Sequence, residues 1–170
     1  MTGALHPADL SETELLAECE VWRTRRGGPG GQHRNKVETA VVLEHLSTGI
    51  RAEANERRSQ EQNRQMAIGR LRRLLAVQVR VARPAAEVPS SLWQSRTKND
   101  RLSVSEEHAD FAPLLAEALD VVATAEFDLT AAATQLRVST SQLLKLIRTE
   151  FTALAWLNAQ RQLKGLRPLR

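Results

Sequence analysis

The residues of this 170-residue chain best suited to chemistry are Gly30, Gly31 and Gln32, within the run Arg25-Arg26-Gly27-Gly28-Pro29-Gly30-Gly31-Gln32-His33-Arg34-Asn35-Lys36. Glycine accepts φ values forbidden to other residues, and without a Cβ it lets the backbone come close to a substrate. Pro29, after Gly28, fixes its own φ and stiffens the approach to the pair. Arg25, Arg26, Arg34 and Lys36 are spaced to grip phosphates on either side of the glycines, and such contacts position a protein without reading sequence. His33 is one histidine in a basic segment, and no Ser/His/Asp constellation accompanies it. The single Cys19 excludes an intramolecular disulfide and a thiolate metal cage. No metal or cofactor is expected.

These groups need elements to hold them. Ser11 is a good N-cap with Glu14 three residues on, which predicts a helix from about 11 to 20. A short strand over 19–24 then leads into the glycine segment. Thr39–His45 is rich in β-branched residues and breaks at Ser47-Thr48-Gly49, and 50–55 returns as the second arm of a hairpin. From Ser59 the period turns helical, with Met66, Leu71, Leu74, Leu75 and Val79 near one face and arginines around it. That helix must end before Pro84. Residues 84–91, with two prolines and small side chains, read as a linker. Beyond it, 92–96 and 102–104 suggest a hairpin across Lys98-Asn99-Asp100. Helices follow at about 113–125, 130–136, 141–149 and 151–163.

Alone, Gly-Gly-Gln should occur by chance in roughly a few per cent of chains this long. What surrounds it is more specific. Asn35-Lys36-Val37-Glu38-Thr39-Ala40-Val41, His45-Leu46-Ser47-Thr48-Gly49-Ile50 and Arg58-Ser59-Gln60 with Asn63 follow in order. Over about residues 20–80 this run resembles the catalytic domain shared by class-I peptide chain release factors and the related ribosome-rescue hydrolases. The resemblance implies hydrolysis of the ester of peptidyl-tRNA on the ribosome. The backbone N–H of Gln32 would stabilise the oxyanion, and its side chain would shape a pocket for water; the substrate's ribose and RNA would handle protons. Arg25, Arg26, His33, Arg34, Lys36 and Arg58 would meet RNA. Gly28, Pro29, Asn35, Ser59 and Gln60 would support the loop, with Arg58-Ser59-Gln60 anchoring the hairpin to the long helix. The implied partners are large-subunit RNA at the peptidyl transferase centre, peptidyl-tRNA, and a methyltransferase acting on Gln32. Three departures stand out: Gly27 replaces a frequent Ser or Ala, His33-Arg34 replaces a frequent His-Val, and the hairpin is compact.

Charge is patterned. Residues 1–22 sum to −5, and residues 23–83 carry fourteen Lys and Arg against five Glu, giving +9. Residues 102–150 return to −5, and 151–170 are +4 with no acid. A basic block between acidic ones suits a phosphate-rich surface, although an Arg-rich solvated helix gives the same count. The first 22 residues hold five acids and no Lys or Arg, unlike a secretory or mitochondrial leader. No apolar stretch is long enough to cross a bilayer. A cytoplasmic monomer without membrane contact is expected.

The expected fold is α+β: a small release-factor catalytic domain at 1–83 (short sheet, glycine loop, long helix), a linker at 84–91, and a mostly helical domain at 92–170. Residues 128–148 resemble a helix-turn-helix, with Arg137 where glycine is usual; a plain helical bundle fits the same pattern. Arg161, Lys164, Arg167 and Arg170 form a basic C-terminus that could meet the ribosome or simply fray. No Pro-x-Thr or Ser-Pro-Phe tripeptide occurs in 84–170, so release independent of the codon is the leading expectation. The rival from another class is a non-hydrolytic ribosome- or RNA-binding regulator.

Overall fold

The structure, a computed structural model, describes residues 5–24 and 40–169. It is an α+β fold in two compact units, one of residues 10–75 and one of 1–9 with 76–170.

The first unit opens with helix α1, Glu12–Ala17. Ser11 accepts from the Glu14 N–H at 3.3 Å while the Glu14 carboxylate accepts from the Ser11 N–H at 2.9 Å, a reciprocal capping box. Strands β1 (Cys19–Thr24), β2 (Ala40–His45) and β3 (Ile50–Ala54) form an antiparallel sheet in the order β1-β2-β3. Val41, Leu43 and His45 alternate as buried residues along β2, and the partners of the first two, Ala54 and Ala52 on β3, are buried too. This period of two is what a sheet with one covered face requires.

Helix α2 runs Gln60–Gln78. Asn63, Ala67, Leu71 and Leu75 are fully buried at four-residue spacing, one stripe of the helix. Ile68 joins the stripe, and Leu74 is half-buried. The helix stops six residues before Pro84, within the bound the sequence set.

In the second unit, a short 3-10 turn (Ala85–Glu87) precedes helix α3 (Ser91–Arg96), a two-residue hairpin of β4 (Thr97–Lys98) and β5 (Arg101–Leu102), and helices α4 (Phe111–Thr124), α5 (Leu129–Gln135), α6 (Thr140–Thr149) and α7 (Phe151–Leu163). One continuous core joins Trp93, Phe111, Leu114, Leu115, Leu119 and Ile147 to other buried residues of this unit. Asn99 and Asp100 take left-handed φ of 48° and 58° at the hairpin tip, as a two-residue turn between twisted strands demands.

The structure departs from the sequence reading in four places. Helix α1 ends at Ala17 and not near 20, because the chain enters β1 at Cys19. The first arm of the expected hairpin, 92–96, is helical: Ser90 caps it by accepting from the Trp93 N–H at 3.1 Å. That turn carries Trp93 into the core, where its indole N–H donates to the Leu136 carbonyl at 2.9 Å. Residues 84–91 are tied down, for the Ser90 N–H and hydroxyl both donate to the Glu117 carboxylate at 2.7 and 2.5 Å. The division between compact units therefore falls at Leu75/Ala76 and not at the proline-rich stretch. Residues 5–9 also belong with the helical unit: His6 is buried, accepting from the Ala8 N–H at Nδ1 (3.0 Å) and donating from Nε2 to the Val79 carbonyl (3.1 Å).

Candidate functional site

Arg25, Arg26, Gly28, Pro29, Gly30, Gly31, Gln32, His33, Arg34, Asn35 and Lys36 lie outside the described residues, as does Arg170. The structure does define the frame that holds the glycine segment. β1 ends at Thr24 and β2 begins at Ala40, and these two residues are direct partners in the ladder. Residues 25–39 are thus attached at both ends to adjacent strands. The strand hydrogen bonds at its base hold the two ends of the segment together.

Register brings more to that end of the sheet. Val41 pairs with both Arg23 and Ala54, so β3 finishes level with the start of β2. The connection 55–59 to α2 consequently leaves from the end that carries the glycine segment. Arg57 and Arg58 lie in this connection, both exposed, and among the described residues neither side chain has an ionic partner. Arg23 is also exposed, one residue from the end of β1. Arg23, Arg57 and Arg58 are thus exposed cations toward one end of the sheet.

The connection is held by groups the sequence reading left out of the site. Buried Asn63 accepts from the Arg57 N–H through Oδ1 and donates to the Arg57 carbonyl through Nδ2, each at 2.9 Å. Arg70 donates to the Glu53 carbonyl at 2.6 Å and to the Glu56 carboxylate at 2.5 Å. This hydrogen bond from Arg70 holds the Glu56 carboxyl below its ordinary range. Ser59 accepts from the Gln62 N–H at 3.4 Å, a long and weak cap, and Gln60 is the first residue of α2. The ties between hairpin and helix therefore come from Asn63 and Arg70. The signal for Asn63 was its place three residues after the Arg-Ser-Gln run; Arg70 had none beyond its charge.

At the opposite end of the sheet, His45 is fully buried with Nε2 at 2.9 Å from Glu18 and Nδ1 at 2.8 Å from the Thr48 hydroxyl. It fastens the β2–β3 turn, where Gly49 has φ 68°, to the junction of α1 and β1. His45 is remote in register from the glycine segment and supports the fold.

The basic C-terminus is folded back. Arg161 donates to the Phe127 carbonyl at 2.6 Å and to the Arg167 carbonyl at 2.9 Å, and Lys164 pairs with Glu126. The Asn158 side chain accepts from the Leu169 N–H at 2.7 Å and donates to the Leu169 carbonyl at 3.0 Å. Arg161 and Lys164 thus have intramolecular partners, and Arg167 is exposed. Among the described residues no cluster of three His, Cys, Asp or Glu could hold a metal ion, and no helix is long and apolar enough to cross a membrane.

A three-stranded meander and a long helix, with a Gly-Gly-Gln segment strung between the first two strands, define a small α+β module of the release-factor type. The model of the RF-1 domain matches residues 13–110, more than half of the chain, and the chain belongs to that family. It is 38% identical over 104 residues to peptide chain release factor 1 of Leptothrix cholodnii, covering 59% of this chain and 29% of that one. Against the chloroplastic peptide chain release factor PrfB1 of Arabidopsis thaliana it is 50% identical over 74 residues, 43% of this chain and 16% of that one. Peptide chain release factor 1 of Acidiphilium cryptum is 49% identical over 77 residues, 45% and 21% of the two chains. The chain thus spans less than a third of the length of these relatives.

Proposed function

We propose that this chain hydrolyses the ester of peptidyl-tRNA on the ribosome and so releases the nascent peptide. The observation that carries the reading is a Gly-Gly-Gln segment fixed between paired strand ends of an RF-1 domain, with Arg23, Arg57 and Arg58 at the same end of the sheet. Its relatives are named peptide chain release factors.

Chemically, ester hydrolysis needs a water in line with the carbonyl and a donor where the oxyanion develops. The backbone N–H of Gln32 serves as that donor, and its side-chain amide shapes the space for water. Gly30 and Gly31 allow the close approach, with Gly28 and Pro29 before them and Asn35 tying the segment back to its own backbone. Arg25, Arg26, His33, Arg34, Lys36 and Arg58 hold RNA phosphates around it. The partners are large-subunit RNA and peptidyl-tRNA, and a methyltransferase modifies Gln32. The protein acts as a cytoplasmic monomer. Release without a stop codon is the finer part of the proposal.

The test is release of labelled peptide from ribosomes holding peptidyl-tRNA on truncated, sense-codon and stop-codon messages. Wild type should release peptide on truncated message, and Gly31→Ala should slow this on the order of a hundredfold or more, because a Cβ at 31 keeps the Gln32 N–H from reaching the oxyanion. Full activity in Gly31→Ala would refute the mechanism. Release confined to the stop-codon message would refute codon independence and leave the hydrolysis standing.

A further inference from the structure

Helices α5 and α6 build a helix-turn-helix whose chemistry the hydrolysis does not use. Asp128 caps α5 by accepting from the Thr130 and Ala131 N–H groups at 2.8 and 3.2 Å, and Ser139 caps α6 by accepting from the Gln142 N–H at 3.2 Å. Between them the chain turns through Leu136, Arg137 and Val138, with Arg137 at φ 54°, the left-handed position such a turn needs. Leu136, Val138, Leu143, Leu146 and Ile147 are buried, which fixes the outward face of α6.

That face is of one sign. Ser141, Lys145 and Arg148 follow one another at four- and three-residue spacing, all exposed, with exposed Thr140 beside them and exposed Arg137 just before. From Leu129 to Thr149 the chain has no Asp or Glu. Arg137, Lys145 and Arg148 have no ionic partner among the described residues.

The net negative charge of 102–150 argued against nucleic acid, but most of its carboxylates are engaged within the fold. Glu117 takes the Ser90 donors, Asp120 takes Arg80 and Arg83, Asp110 takes Arg96, and Glu126 takes Lys164. Asp128 caps α5, and Glu150 caps α7 by accepting from the Thr152 N–H. The outward face of α6 is thereby left to cations and hydroxyls.

We infer that this face docks on the backbone of duplex RNA. Cations and short hydroxyls are phosphate- and 2′-hydroxyl-binding groups. Reading DNA bases in a major groove calls for long exposed donors at the start of the second helix; this chain has the short Thr140 and Ser141 there, and the one long amide, Gln142, is half-buried. The choice of RNA also rests on the ribosomal reading above.

The test is fluorescence anisotropy of the full chain with a labelled RNA duplex and with the DNA duplex of the same sequence, over a salt series. Lys145→Glu/Arg148→Glu is compared with Lys98→Glu/Arg101→Glu, an equal change of charge on the β4–β5 hairpin. The α6 pair should weaken RNA binding roughly tenfold and lower the salt slope by about two, one for each phosphate no longer neutralised. The hairpin pair should leave the slope unchanged. Equal effects of the two pairs, no effect of the α6 pair, or tighter binding of the DNA duplex would overturn the inference. Should the reversal impair folding, as melting by circular dichroism would show, Lys145→Gln/Arg148→Gln carries the same expectation at smaller size. Binding is read without hydrolysis, so failure of the proposed chemistry would show in the release assay alone.

Discussion

At the scale of the residue, the frame of the candidate site depends on side chains outside the glycine segment. Asn63 satisfies both backbone groups of Arg57 from a fully buried position, and with Arg70 it fixes the connection that carries Arg57 and Arg58. Asn63→Ala should destabilise the chain by about 1–3 kcal/mol, because it removes two hydrogen bonds made by a buried amide. Asn63→Asp keeps the acceptor but sets a buried carboxylate against the Arg57 carbonyl, and should be the least stable of the three at neutral pH. Urea unfolding of the three proteins checks the order, and wild-type stability in Asn63→Ala would contradict it. The Arg-Ser-Gln run was legible because its residue types stand together. Asn63 was legible only as a neighbour, since its role depends on a turn that brings Arg57 back against the first helical turn.

At the scale of the element, the sequence signals worked where they were local. Ser11 with Glu14 caps the helix it announced. β1 covers the span expected, and α7 begins and ends where the period said. The miss at α3 has a clear cause. Six residues with a central Trp suit a strand as well as a helix, and the decision came from the Trp93 bond to Leu136, far away in sequence. Arg137 offers a test at this scale. An L-residue in the left-handed region is strained by about 1 kcal/mol relative to glycine. Arg137→Gly should therefore raise stability by up to about 1 kcal/mol, offset in part by the entropy of the unfolded chain. It should also lower the salt slope of RNA binding by about one, since it removes a cation. A thermal melt and the anisotropy series measure the two effects separately.

At the scale of the whole molecule, the N-terminal segment closes the helical unit. Asp120, with no exposed side-chain surface, takes Arg80 at 3.2 Å and Arg83 at 3.0 Å, and Arg83 reaches Asp9 at 2.9 Å. The Arg80 guanidinium also lies 4.8 Å from the centre of the Trp156 ring. Burial lowers Arg80 to about 10, which leaves it charged at neutral pH. The same burial lowers His6 from 6.5 to about 4, and its neutral form is already satisfied at both nitrogens. Below pH 6.5 the unfolded chain binds a proton that the folded chain refuses until about pH 4. Stability from His6 is therefore complete above pH 6.5 and declines as pH falls toward 4, by about 3 kcal/mol if the whole shift is expressed. Burial raises Asp9 and Asp120, which works in the opposite direction above their unfolded values near 3.8 and trims the decline at its acid end. Urea unfolding between about pH 7 and pH 4.5 should show the loss, and His6→Gln should flatten it. An equal slope in the two proteins would place the titration elsewhere.

The sequence by itself determined the chemistry-bearing segment, its family and most of the elements, because these reside in local patterns: a glycine pair before an amide, periods of two and of about 3.6, and caps beside the helices they start. Tertiary structure decided what depends on residues distant along the chain. Register set Thr24 opposite Ala40 and brought the end of β3 level with them, so the connection carrying Arg57 and Arg58 leaves from the end of the sheet where β1 stops and β2 starts. Long-range burial put residues 5–9 with the helical unit and moved the division between units into α2, because His6 meets Val79 and Asp9 meets Arg83 across more than seventy residues. It also engaged the carboxylates of the helical unit and left the cations of α6 outward. Charge counted along a chain cannot show which charges are already paired.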